Sequence, residues 1–134
     1  MKDCIFCKIV DGEIPSMKIY EDDWCVAVMD ISPATPGHTL VIPKEHFDSL
    51  EDLDEETAGK LMMVAKLIGF RQKNALGSEG FNIVQNNGRA AGQTVMHYHI
   101  HVIPRYAGGP QIVCWNPTSP TTEQLLEIYT RLKM

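Results

Sequence analysis

The chain has 134 residues, 44% of them hydrophobic and 22% charged, and carries a net charge of −5. That length fits a single domain over 1–134 with an ordinary packed core, and the composition excludes wholesale disorder and collagen-like repeats. Twelve Lys and Arg against seventeen Asp and Glu argue against nonspecific nucleic-acid binding, which needs a basic surface. No apolar run approaches the roughly 20 residues of a membrane-spanning helix. The N-terminal MKDCIFCKIV lacks the apolar core of a signal peptide. The expectation is a cytoplasmic protein with neither membrane nor nucleic acid as partner.

In chain order, 4–10 is short, apolar and ambiguous between strand and helix, and ends at Asp11-Gly12. Segments 18–21 and 24–30 read as two strands joined at Asp22-Asp23, a hairpin spacing. Pro33, Pro36 and Gly37 interrupt the chain, and 38–42 reads as a third strand ended by Pro43. Acidic residues at 54–56 open a long helix carrying Ala58, Leu61, Met62, Ala65 and Ile68 on one face, to about 76–77. Segments 81–86 and 95–103 read as two more strands flanking a polar, glycine-containing loop at 87–94. Thr121 or Thr122 can cap a last helix bearing Leu125, Leu126, Ile128, Tyr129 and Leu132. Strands joined by hairpin-type connections, with one long and one short helix, predict an α+β fold on an antiparallel sheet.

The most informative stretch is Met96-His97-Tyr98-His99-Ile100-His101-Val102-Ile103. Alternation along a strand puts His97, His99 and His101 on one face and Tyr98, Ile100 and Val102 on the other. A single strand histidine is usually a satisfied structural residue, whereas three in strict alternation mark a site. Two chemistries fit: convergent nitrogens on a metal ion, or one nucleophilic imidazole oriented by its neighbours. The loop at 88–94 (GRAAGQT), whose backbone N–H groups could cradle phosphate oxygens, favours the second.

Those alternating histidines resemble the signature of the histidine triad (HIT) family. The resemblance extends to Ile5-Phe6, Tyr20-Glu21-Asp22-Asp23, Asp30-Ile31-Ser32-Pro33, His38-Thr39-Leu40-Val41-Ile42-Pro43-Lys44 and Gly92-Gln93-Thr94-Val95. The branch it is most similar to is the Hint group of purine nucleoside phosphoramidases. That resemblance implies a HIT fold, a five-stranded antiparallel sheet with one long and one short helix that dimerises into a ten-stranded sheet. It implies hydrolysis or transfer at the α-phosphate of AMP- or GMP-amines or nucleotidyl-lysine, through a nucleotidyl-histidine intermediate. His99 would be the nucleophile, His101 a hydrogen-bonding partner of the phosphate, His97 part of the triad, and His38 an orienting partner. Gln93 and Thr94 would contact phosphate and leaving group, Asp30 the ribose hydroxyls, and Asn86 the region between ribose and phosphate. Ile5, Phe6, Ile9, Val28 and Ile31 would wall the purine pocket, though any of them could equally be core. Thr94 stands where such relatives carry serine, and Val28 where they often carry an aromatic. Trp115-Asn116-Pro117 corresponds to a C-terminal aromatic segment that closes the partner subunit's site.

Cys4 and Cys7, spaced C-x-x-C, could be a redox pair, buried thiols or metal ligands. The βαβ setting of a thioredoxin-like motif is missing, and a structural zinc would need two further ligands. The chain is similar here to galactose-1-phosphate uridylyltransferases and many bacterial triad proteins. That similarity implies a structural Cys2His2 zinc site at Cys4, Cys7, His46 and His97, with Cys25 and Cys114 outside it. Other readings are a dinucleoside polyphosphate hydrolase using the same nucleophile, a nucleotide-binding regulatory module, and a catalytic zinc enzyme using all three histidines.

Overall fold

Period-two alternation in two central strands decides which residues face which layer. On β2 (Cys25–Met29), Cys25 and Ala27 point to one side of the sheet and Val26 and Val28 to the other. On β3 (Thr39–Pro43), Val41 joins the first set while Leu40 and Ile42 join the second. Both strands are therefore buried on both faces, and each face needs a cover. The structure, a computed structural model, describes residues 3–134.

The first cover is α2 (Glu55–Leu76). Asp54 caps it by accepting the Thr57 N–H, Glu55 and Glu56 sit at the positive end of its dipole, and Gly77 closes it at φ +71°. Its inward face is Thr57, Leu61, Val64, Ala65, Ile68, Gly69 and Gln72. Met62, expected on that face, is exposed, and Val64 takes the inward position instead. A Cβ on Gly69 would lie 2.5 Å from the Phe81 ring, so only glycine lets that ring close against the helix. The second cover is α1 (Ile5–Val10), which settles the ambiguity of 4–10 as helix. Cys4 Sγ accepts the Cys7 N–H at its start, and Phe6 packs on Val26, Val28, Leu40 and Ile42.

With β1 (Lys18–Glu21), β4 (Gly80–Val84) and β5 (Ile100–Arg105), the sheet has the order β1-β2-β3-β5-β4, every neighbouring pair antiparallel. This is the expected five-stranded antiparallel sheet with its long helix, and α2 lies across β3, β5 and β4. The short C-terminal helix is α3 (Thr122–Leu132), started by a Thr121–Gln124 capping box. Its Leu125, Ile128, Tyr129 and Leu132 are exposed. Among the described residues, no helix is long and apolar enough to cross a membrane.

One strand departs from expectation in a way that shapes the site. The 95–103 segment becomes regular strand only at Ile100. Before that the backbone is pinned from the side: the Tyr98 N–H donates to the Phe47 carbonyl at 2.7 Å. The expected partition of side chains survives. Tyr98, Ile100 and Val102 enter the core under α2, while His97 and His99 meet the Phe6 ring on the other face. The 81–86 strand ends at Val84, because Gln85, Asn86 and Asn87 turn to one another for hydrogen bonds.

Candidate functional site

His101 sits on β5 between Leu40 of β3 and Val84 of β4, and His38 immediately precedes β3. His38 Nε2 and His101 Nδ1 are 2.9 Å apart. The proton between them can be assigned. The Ala34 N–H donates to His38 Nδ1 at 3.0 Å, so the neutral ring of His38 carries its hydrogen on Nε2 and donates it to His101. His101 then accepts at Nδ1 and presents an N–H at Nε2. Burial, reinforced by His99 and His38, pushes His101 down to about 4, against the opposing pull of Asp30. Burial likewise lowers His38, with Asp30 opposing it. Both rings are therefore neutral at pH 7.

His99 follows the same logic. Its Nδ1–H donates to the His97 carbonyl at 2.7 Å, which leaves the lone pair on Nε2. Burial lowers its pKa, against the pull of the His97 carbonyl and Asp30. Phe6 supports the ring edge-on at 4.9 Å, and His101 stands 5.0 Å away on the other side. A fixed neutral imidazole with a free nitrogen can act as a nucleophile, and the N–H of His101 beside it can donate to an anion.

Asp30 follows β2. Its Oδ1 accepts the Ser32 N–H at 2.8 Å, and Oδ2 lies 3.6 Å from His38 Nε2. Asp30, His38 and His101 have donor atoms close enough to hold a metal. The short His38–His101 hydrogen bond already uses two of those atoms.

Several expected contacts land elsewhere. Gln93 is only 3% exposed and commits its amide to the chain: Oε1 accepts the Gly88 N–H at 2.8 Å, while Nε2 donates to the carbonyls of Asp48 at 2.6 Å and Val95 at 3.0 Å. It shapes the loop and has no amide atom left for a phosphate. Thr94 is exposed and lines a cavity of about 760 Å³ with Ile5, His46, Asp48 and Arg89. Asn86 lines another of about 390 Å³ with His38, His101 and Ile112, Val113 and Cys114. Among the supposed pocket walls, Phe6 touches the histidines, Ile5 is exposed and Ile9 half-buried. Val28 is 1% exposed inside the second core cluster, so its role is packing; Ile31 is 87% exposed. Trp115 is exposed as well.

His97 faces away from the other two triad members. Its Nε2–H donates to the Pro43 carbonyl at 2.9 Å, so Nδ1 is the lone-pair nitrogen. Nδ1 lies 3.3 Å from Cys4 Sγ, 3.5 Å from Cys7 Sγ and 3.1 Å from His46 Nδ1. His46 Nδ1 is in turn 3.3 Å from Cys7 Sγ, and its Nε2–H is held by Asp48 Oδ1 at 2.8 Å. Two imidazole lone pairs therefore face each other beside two sulfurs, an arrangement that calls for a cation. A tetrahedral zinc, with bonds of about 2.3 Å to sulfur and about 2.05 Å to nitrogen, would set N···N at ~3.3 Å and S···N at ~3.5 Å. The donor set fits. Burial pushes His97 down to about 4, which keeps it in the neutral state a metal ligand requires. His97 thus belongs to this cluster, with His99 and His101 outside it.

The chain is similar to several known proteins. The HIT domain family model matches residues 11–108. Adenylylsulfatase HINT3 of Arabidopsis thaliana is 46% identical over 77% of this chain, which covers 52% of that protein. Adenosine 5′-monophosphoramidase hnt1 of Schizosaccharomyces pombe is 44% identical over 76% of this chain and 74% of its own length. A zinc-bound histidine triad family protein from Mycobacterium smegmatis superimposes with a TM-score of 0.81 at 42% identity, covering 87% of this chain and 85% of that one.

Proposed function

The chain belongs to the HIT domain family, and from that premise we propose that it hydrolyses purine nucleotide phosphoramidates at the α-phosphate through His99. The observation that carries this reading is the Nδ1–H bond from His99 to the His97 carbonyl, which leaves Nε2 as the available nucleophile. The Nε2–P bond forms as the P–N bond breaks, and the departing nitrogen keeps the electron pair and takes a proton from water to leave as the amine. Water then cleaves the nucleotidyl-histidine and releases AMP or GMP. His101 donates its Nε2–H to a phosphate oxygen, oriented by His38. Asp30 accepts the ribose hydroxyls, and Asn86 adds a contact near ribose and phosphate. Thr94 meets the leaving group, while Gln93 serves indirectly by holding the 88–94 backbone in shape. Phe6, with Ile9 packed in the same cluster, offers apolar surface beside the histidines, and Ile5 and Ile31 are the further apolar candidates for the base.

A second reading concerns the leaving group. The names adenylylsulfatase and adenosine 5′-monophosphoramidase share an adenylyl group and differ in what departs, sulfate or amine. A dinucleoside polyphosphate would use the same nucleophile with a nucleotide polyphosphate leaving. Competition among adenosine phosphoramidate, adenylyl sulfate and a dinucleoside polyphosphate ranks them by kcat/KM.

Zinc at Cys4, Cys7, His46 and His97 would be structural, since four protein ligands complete its tetrahedron. A zinc-bound histidine triad family protein from Mycobacterium smegmatis is compatible with zinc in this chain. A homodimer is also part of the reading. β4 ends the sheet with an unpaired outer edge, and Met63, Leu67 and Phe70 form an exposed apolar stripe on α2 nearby. Pairing two β4 edges across a two-fold axis would give ten strands and cover both stripes.

The test of the proposed chemistry is His99→Asn, assayed against adenosine phosphoramidate alongside the wild type quenched in acid-free conditions for mass spectrometry. The wild type is expected to show an adenylylated peptide containing His99, and the variant to bind AMP without turning over. Hydrolysis by His99→Asn near the wild-type rate rejects His99 as nucleophile.

A further inference from the structure

Residues 46–48 touch three separate parts of the site. His46 reaches the Cys4/Cys7/His97 cluster, the Phe47 carbonyl holds the Tyr98 N–H between His97 and His99, and Asp48 makes two further bonds. The Asp48 carboxylate takes the His46 Nε2–H at 2.8 Å, and the Asp48 carbonyl takes Gln93 Nε2 at 2.6 Å. We propose that Asp48 is a positioning residue that couples the cluster to the 88–94 loop, so that zinc and nucleotide each strengthen the other's binding. This rests on the metal reading above and goes beyond it.

The carboxylate does for His46 what outer carboxylates do for metal-bound histidines: it fixes the tautomer and the ring plane. Metal at the cluster thereby fixes His46, and with it the path of 46–48. The loop depends on that path through one side chain. Gln93 Nε2 sits between two carbonyl oxygens, Asp48 and Val95, so its amide has only one workable orientation. In that orientation Oε1 holds the Gly88 N–H, while the Gly88 carbonyl accepts the N–H groups of Ala91 and Gln93 at 3.1 Å each. Gly88 at φ +90° and Gly92 at φ +93° give the loop a shape that side chains rarely adopt, and Gln93 is the brace across it. A nucleotide phosphate in this loop and a cation in the cluster therefore favour the same position of Asp48. Binding linkage makes the effect reciprocal.

The experiment measures zinc affinity by competition with a chromophoric chelator, AMP affinity by calorimetry with zinc loaded and removed, and amide exchange over 88–95. Removing zinc from the wild type is expected to weaken AMP binding about 5-fold or more, the lower end of ordinary coupling, and to speed exchange at Gly88. Asp48→Ala is expected to loosen zinc by about 10–100-fold, with Asp48→Asn, which keeps an acceptor oxygen, recovering most of it. Gln93→Leu should bind zinc normally and lose the zinc effect on AMP. If zinc binds the wild type but changes neither AMP affinity nor loop exchange, the coupling is overturned and the metal reading stands. If the wild type binds no zinc, both fall. The wild-type exchange measurement decides the matter even where a variant does not fold.

Discussion

His38 donates to His101, and the direction of that bond is set by a backbone amide four residues before His38. The Ala34 N–H occupies His38 Nδ1, which leaves only Nε2 to carry the hydrogen that His101 Nδ1 accepts at 2.9 Å. The N–H that His101 shows to a substrate is thus determined through two rings. Replacing His38 by leucine leaves His101 Nδ1 without its donor and its tautomer unspecified. Turnover of His38→Leu is expected to fall by about 10²-fold, the lower end of what a misplaced proton donor costs, with a smaller change in AMP affinity. A loss confined to AMP affinity, with kcat intact, contradicts this role.

The same burial makes stability depend on pH. His101 is about 4 in the folded chain and near its ordinary value of about 6.5 unfolded. Between those values the unfolded chain holds a proton that the folded one refuses, so stability falls as pH falls. The contribution is complete above about 6.5 and is lost progressively down to about 4. Urea denaturation of the wild type and of His101→Gln across that window is expected to show a shallower decline for the variant. Parallel declines argue that His101 is not the group taking up the proton.

Under the proposed function, Asp30 is expected to separate ribose from deoxyribose. Its Oδ1 is held by the Ser32 N–H, which fixes the carboxylate beside His38. Asp30→Ala is expected to weaken AMP binding by about 1.5–3 kcal/mol, the usual scale of a charge-assisted hydrogen bond. Binding of the 2′,3′-dideoxy analogue should change far less. Calorimetry on the two ligands checks this, and equal losses on both place Asp30 away from the sugar.

The Cys4, Cys7, His46 and His97 cluster joins the N-terminal segment, the stretch after β3 and the segment that runs into β5. Metal there adds to folding free energy, because the unfolded chain has no preformed site. A chelator, or the double change Cys4→Ser with Cys7→Ser, is expected to lower Tm. Turnover at saturating nucleotide should change less, because the proposed attack of His99 on phosphorus uses no metal. Freshly purified protein free of zinc by elemental analysis, or an unchanged Tm in the double variant, speaks against the site.

Short-range pattern in the chain determined a great deal. The alternation at 97–103 placed Tyr98, Ile100 and Val102 under α2 and the histidines on the opposite side, and this held although regular strand begins only at Ile100. Caps at Asp54 and Thr121 and the stop at Gly77 were legible for the same reason: each is a bargain struck between residues within one turn of each other. Tertiary structure decided what each of those side chains meets. It turned His97 to the cysteines and to His46, sent Gln93 inward to brace its own loop, buried Val28 beneath Phe6, and set Ile112, Val113 and Cys114 around the same cavity as His101. It also chose the proton positions, through carbonyls and amides of Pro43, His97 and Ala34 that any residue could have supplied. Periodicity encodes the face on which a side chain emerges. Which atom it bonds depends on where the folded backbone brings a carbonyl or an amide, two, four or 54 residues away along the chain, and those groups carry no mark in the sequence.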